Sequence, residues 1–113
     1  MLDQKRHLIC EATDGIVEIT MNRPDKRNAL SLELMEELTD AFREVGVDRE
    51  NRVVILRGEG RAFSAGHDLR EMLDRSPEDY QRIFDVCIRL MDTIQAIPQP
   101  VIAEVAGIAT AAG

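Results

Sequence analysis

Alternation of apolar and polar positions opens the chain. His7 to Ala12 and Ile16 to Met21 each read as a strand of period two. Asp14-Gly15 between them is a hairpin signal, since both residues tolerate the positive φ of a tight turn. The polar stretch Asn22-Arg23-Pro24-Asp25-Lys26-Arg27-Asn28 reads as a loop. Pro24 lacks an N–H and restricts its neighbour, so the second strand stops there. Spacing then turns helical, with Met35, Leu38, Ala41, Phe42 and Val45 on one face. Ser31 is the expected N-cap, Glu33 an acid in the first turn, and Leu30 with Met35 a hydrophobic staple. Gly46 reads as the residue just past the helix end.

Val53-Val54-Ile55-Leu56 is a continuous, mainly β-branched run, the pattern of a strand buried on both faces. Gly58-Glu59-Gly60 closes it. Ser76-Pro77-Glu78-Asp79 starts a second helix, with a cap, a proline and early acids. Its apolar stripe is Tyr80, Ile83, Phe84, Cys87, Leu90, Met91 and Ile94, and Pro98 and Pro100 stop it. Val101 to Val105 is a second buried-type strand, so strand, helix and strand form a βαβ unit. The expected class is α/β. No internal repeat or low-complexity linker interrupts it. The final run, Gly107-Ile108-Ala109-Thr110-Ala111-Ala112-Gly113, resembles the feed into a further helix, and the chain is expected to be the front portion of a longer domain.

At 113 residues the chain is one domain or part of one. With 14 basic and 21 acidic side chains the formal charge is −7, which argues against a nucleic-acid surface. No apolar run approaches the ~20 residues of a membrane span. Cys10 and Cys87 sit in apolar surroundings at no metal-binding spacing, so reduced core thiols are expected, and no metal site. Residues 1–10 lack the apolar core of a secretory signal and run straight into a strand. A cytoplasmic location is expected, or the mitochondrial matrix in a eukaryote, although no transit peptide is seen.

Candidate chemistry follows the two parallel-type strands. Arg61-Ala62-Phe63-Ser64-Ala65-Gly66-His67-Asp68-Leu69 trails one, and Gly107 to Gly113 trails the other. Ligands gather at the carboxyl ends of such strands. Small residues there admit a ligand close to the backbone, and two free N–H groups converging on one oxygen would make an oxyanion hole. Tight packing is the simpler explanation of the same small residues. Ser64 lacks the first glycine of a nucleophile elbow, and Gly58-x-Gly60 lacks the third glycine of a dinucleotide fingerprint. His67 invites an imidazole reading. Asp68 reads as a cap on a short helix, Leu69 to Leu73. Glu71 and Arg75 read as a surface pair, and His7 as solvated.

Three segments carry a family resemblance. Met21-Asn22-Arg23-Pro24-Asp25-Lys26-Arg27-Asn28-Ala29-Leu30, Phe63-Ser64-Ala65-Gly66-His67-Asp68-Leu69 and Pro100-Val101-Ile102-Ala103-Glu104-Val105-Ala106-Gly107 are similar, in order and in nearly the whole chain, to the enoyl-CoA hydratase/isomerase (crotonase) family. The resemblance is strongest to its enoyl-CoA hydratase domain-containing branch. It implies an α/β fold, a spiral of ββα turns of which these residues form the N-terminal part. It implies an acyl-CoA thioester as ligand, with coenzyme A as part of the substrate and no separate cofactor. It implies a homotrimer or a dimer of trimers when full length.

Carried over position by position, the backbone N–H groups of His67 and Ala112 match the family's oxyanion donors, which leaves the His67 imidazole without a role. Lys26, Arg27 and Ala29 match the loop at the nucleotide end of CoA. Ala65, Gly66, Asp68 and Leu69 match the adenine and pantetheine path. One departure stands out. Ala111-Ala112-Gly113 replaces the family's frequent Gly-Gly-Gly; each alanine keeps its N–H but adds a methyl group. The catalytic carboxylates of a hydratase would lie beyond Gly113. Three functions therefore stay open: a hydratase/isomerase-type enzyme, a CoA-thioester-binding homologue without hydratase activity, and a structural assembly module.

Overall fold

A computed structural model describes residues 4–113; residues 1–3, included in the reading of the N-terminus, lie outside the described residues. The order is β1 (Leu8–Thr13), β2 (Ile16–Met21), α1 (Leu32–Gly46), β3 (Val53–Gly58), β4 (Ala62–Ser64), α2 (Pro77–Ala96), β5 (Val101–Glu104) and β6 (Ile108–Ala109). Short 3₁₀ turns span Pro24–Lys26 and Leu69–Met72. Two strands followed by a helix recur twice, and a third strand pair follows.

Asp14 and Gly15 adopt φ of 53° and 83° and join β1 to β2. The main sheet has the order β1-β2-β3-β5, with β2, β3 and β5 parallel. β3-α2-β5 is thus the expected βαβ unit, and β2-α1-β3 is another. β4 and β6 pair in parallel as a separate two-stranded sheet. At three and two residues they are too short to show a periodicity.

The core lies between the main sheet and α1. Val17, Ile19 and Met21 alternate inward on β2, and Met35, Leu38, Ala41, Phe42 and Val45 meet them. Leu30 is buried with Met35, as a staple requires. Ser31 Oγ accepts from Leu34 N at 3.1 Å, and Ser76 Oγ from Asp79 N at 3.1 Å. The opposite face of the sheet is charged: Arg57 on β3 bridges Glu18 on β2 at 3.4 Å and Glu104 on β5 at 2.6 Å.

Several expectations are corrected. Gly46 is the last helical residue, not the residue beyond; a Cβ there would lie 2.6 Å from Ile97 Cγ2, so close approach of the α2–β5 connection selects glycine. Burial on both faces holds for neither parallel strand. Val54 is fully buried but its neighbours are partly exposed, and Ile102 to Val105 are exposed. On α2 the buried residues are Ile83, Val86 and Leu90, whereas Phe84 and Met91 lie on the exposed flank. His7 is not simply solvated: its Nε2 lies 3.4 Å from Glu33 Oε2. Cys10 and Cys87 are free thiols, half-buried against the core, and burial raises the pKa of each above the ordinary 9.0.

Candidate active site

Three segments meet beyond the ends of β2, β3 and β5. The first is the loop of residues 22–30. Asn28 is fully buried, with φ of 53°, a conformation asparagine tolerates better than most residues. Its Oδ1 accepts from Arg23 N at 2.9 Å. Its Nδ2 donates to Glu59 O at 3.0 Å and to Ala62 O at 2.9 Å. The loop is thereby closed on itself and tied to the β3–β4 turn.

The second segment is residues 64–69. Ser64 is buried; its Oγ donates to Asn28 O at 2.9 Å and accepts from Gly66 N at 3.2 Å. A hydroxyl held in this way is structural, in line with the missing elbow glycine. Ala65, half-buried, donates its N–H to Arg27 O at 3.0 Å. Leu30 N donates to Gly66 O at 2.7 Å and Asp68 N to Leu30 O at 3.2 Å, an isolated parallel bridge opposite His67.

The third segment is residues 107–113. Thr110 N donates to Ser64 O at 3.2 Å, Thr110 Oγ1 to Ala65 O at 3.2 Å, and Gly113 N turns back to Thr110 O at 2.8 Å. Gly66 has φ of +88°, and a Cβ there would lie 2.9 Å from Thr110 O and 3.5 Å from Ala112 N. Residue 66 therefore faces the 110–112 turn, and only glycine leaves room there. Among the described residues no hydrogen bond uses the N–H of His67 or of Ala112. Two unspent donors thus stand on loops that are bonded to each other.

The remaining candidates fall around this junction. Lys26 and Arg27 are exposed and make no ion pair among the described residues. Ala29 is half-buried, and its carbonyl accepts from Arg23 Nη1 at 2.9 Å. Asp68 caps the Leu69–Met72 turn through Arg70 N at 3.0 Å and reaches Arg23 Nη2 at 3.6 Å. Leu69 is exposed. The His67 imidazole packs edge-on against Phe84 of α2, with centroids 5.6 Å apart at 79°, and its Nδ1 is buried without a partner.

Two side chains act where sequence reading did not look. Glu71 does not pair with the Arg75 head group through its carboxylate. Its Oε1 accepts from Leu32 N at 2.8 Å and caps α1, while Arg75 Nε donates to the Glu71 carbonyl at 2.8 Å. Asn28 is the hub of the 22–30 loop. A lone asparagine before Ala-Leu gives no signal for that, and only its tolerance of left-handed backbone hints at it. Away from the site, His7, Glu33 and Glu37 bring ligand-type atoms within 4.8 Å of one another. Those carboxylates already have partners, Arg6 and His7 on Glu33 and the His7 N–H on Glu37.

Comparison with known proteins bears on the family and the fold. Residues 11–113 match the family described as enoyl-CoA hydratase/isomerase. Enoyl-CoA hydratase domain-containing protein 3, mitochondrial, of Xenopus laevis is 42% identical over 106 residues, covering 93% of this chain and 36% of that protein. A probable enoyl-CoA hydratase of Mycobacterium tuberculosis is 40% identical over 100 residues, 88% of this chain and 39% of that protein. The crystal structure of enoyl-CoA hydratase from Mycobacterium smegmatis superposes with a TM-score of 0.92 at 44% identity, over 96% of this chain and 43% of that one. That of human enoyl-CoA hydratase domain-containing protein 3 gives 0.91 at 36% identity, over 95% and 43%. The chain thus spans about two-fifths of the length of these relatives. The ββα architecture is that of the crotonase fold, and the chain belongs to the enoyl-CoA hydratase/isomerase family.

Proposed function

We propose that the protein processes acyl-CoA thioesters by polarising the thioester carbonyl with the backbone N–H groups of His67 and Ala112, stabilising the enolate that forms. The observation that carries this is the bonding of the 64–69 loop to the 107–113 loop through Thr110, with the amides of His67 and Ala112 unspent. Charge developing on the carbonyl oxygen is stabilised most by donors already aimed at it, which need no reorganisation. Lys26 and Arg27 suit the phosphates of the CoA moiety, being exposed cations on a loop bonded to Ala65. Ala29, Ala65, Gly66, Asp68 and Leu69 would line the path between. In this reading coenzyme A arrives with the substrate and no further cofactor is required. The Xenopus relative is described as mitochondrial, and a matrix location is the corresponding proposal for a eukaryotic source, a cytoplasmic one otherwise. Assembly as a homotrimer or a dimer of trimers would complete the protein.

The test is a hydration assay on a short enoyl-CoA with the intact protein. Turnover is expected, and Ala112→Pro, which deletes a donor, is expected to lower kcat by about 10²–10³-fold. Absence of CoA-thioester binding at millimolar ligand would end the proposal. A second reading, a CoA-thioester binder without hydratase activity, is favoured by one observation. Ala111 and Ala112 stand where the family often carries glycine, and their methyl groups narrow the space beside the proposed donor. Binding without turnover would select it.

A further inference from the structure

The hydrogen bonds behind the site converge on the two peptide units that meet at Gly66. Gly66 O is pinned by Leu30 N at 2.7 Å, and Gly66 N by Ser64 Oγ at 3.2 Å. In a planar trans peptide the C=O of residue 66 and the N–H of residue 67 point in opposite directions. Fixing the Gly66 carbonyl on Leu30 therefore aims the His67 N–H away from Leu30. We propose that Asn28 and Ser64 are positioning residues that hold the preceding Ala65–Gly66 peptide, which together with the Leu30 bond fixes the Gly66 backbone and so sets the direction of the His67 donor. The inference rests on the reading of that N–H as a carbonyl-polarising group.

Asn28 spends its side-chain amide on Arg23 N, Glu59 O and Ala62 O, which fixes its own backbone in the left-handed region. Its carbonyl then accepts a hydrogen bond from the Ser64 hydroxyl, whose lone pair is left to accept one from Gly66 N–H. Orientation thus passes from Asn28 through Ser64 to Gly66 with no exposed link, since Asn28, Ser64 and Gly66 are all buried. Removing Ser64 Oγ frees Gly66 N and leaves Asn28 O unpaired, so the Ala65–Gly66 peptide can swing, and the Gly66 backbone, then held through its carbonyl on Leu30 N alone, can turn the His67 N–H. Hydrogen bonds weaken steeply once the donor angle falls towards ~120°, so a modest swing is enough to matter.

The experiment uses the intact protein, Ser64→Ala and Ser64→Cys, with a dimethylaminocinnamoyl-CoA thioester as probe. Its absorption moves to the red when the carbonyl is polarised, independently of how tightly it binds. The wild-type protein is expected to bind it with a red shift. Ser64→Ala is expected to bind within about threefold of wild type yet lose most of the shift, with kcat on an enoyl-CoA lowered about tenfold and KM little changed, a fraction of the effect of deleting a donor. Ser64→Cys, which keeps a weak donor, is expected to regain part of both. Thr39→Ala removes another buried hydroxyl, one bonded to Met35 O within α1, and is expected to change neither. A full red shift and unchanged kcat in Ser64→Ala would overturn the assignment alone. So would equal losses in Thr39→Ala. A wild-type protein that binds the probe without a red shift would overturn the donor reading, and this assignment with it.

Discussion

Ala111 has φ of 51°, in the region where a Cβ crowds the backbone. Non-glycine residues are disfavoured there by about 1–2 kcal/mol, partly offset by the greater chain entropy that glycine loses on folding. Ala111→Gly is therefore expected to raise stability by about 1 kcal/mol, read as a higher urea midpoint at unchanged slope. Gly66→Ala should do the opposite, because its φ of +88° and the nearby Thr110 O both exclude a methyl group. The alanines at 111 and 112 are visible in the sequence as a departure from glycine. The left-handed backbone at 111 is not, since it follows from the turn that Gly113 N makes onto Thr110 O. The thiols supply a second test. Burial raises Cys10 and Cys87 above the ordinary 9.0, so the folded protein holds its thiol protons more tightly than the unfolded chain does. Their contribution is fully present below pH 9 and is lost as pH rises through the folded values. Alkylation by iodoacetamide at pH 8 is expected to be slower than in urea-unfolded protein, and melting temperature should fall above pH 9. Equal alkylation rates in the two states would contradict the burial argument.

At the scale of elements, the start of α1 joins near and distant parts of the chain. Ser31 satisfies Leu34 N, while Glu71, 39 residues away, satisfies Leu32 N. A carboxylate there also meets the positive end of the helix dipole. Glu71→Ala is expected to cost about 1–2 kcal/mol by chemical denaturation, and Glu71→Gln less, because an acceptor remains. An unchanged midpoint in Glu71→Ala would show that water replaces the bond. The local half of this cap was legible, as were the hairpin at Asp14-Gly15 and the inward face of α1, because each depends on residues a few positions apart. The distant half was not. A glutamate and an arginine at i, i+4 signal a surface pair whatever lies across the loop. The same limit hid β4 and β6, which carry too few residues to alternate, and with them the pairing that brings the 64–69 and 107–113 loops together. Those loops were recognisable as site candidates from the small residues after two strands. The roles proposed for His67 and Ala112 came from the resemblance and not from spacing.

At the scale of the molecule, an apolar run announces that a strand can be covered without naming the cover. Val101 to Val105 reads as a buried strand, yet Ile102 is 54% and Val105 54% exposed, and Ile108 on β6 is 56% exposed. On α2, Phe84, Ile88 and Met91 form an exposed stripe at helical spacing. β5 also stands at the edge of the main sheet, with one row of backbone groups unpaired by any described strand. Apolar patches and open edges of this kind drive association in water. The formal charge of −7 opposes it by mutual repulsion, which salt screens over about 8–10 Å at physiological strength. The 113-residue chain is therefore expected to sediment with an average mass that rises with protein concentration, and more steeply with added salt. Ile88→Glu combined with Ile102→Lys should suppress that rise without lowering the melting temperature appreciably, since both side chains already lie in solvent. A wild-type chain that stays monomeric at every concentration and salt level would mean that these exposed residues are too dispersed to act as one surface.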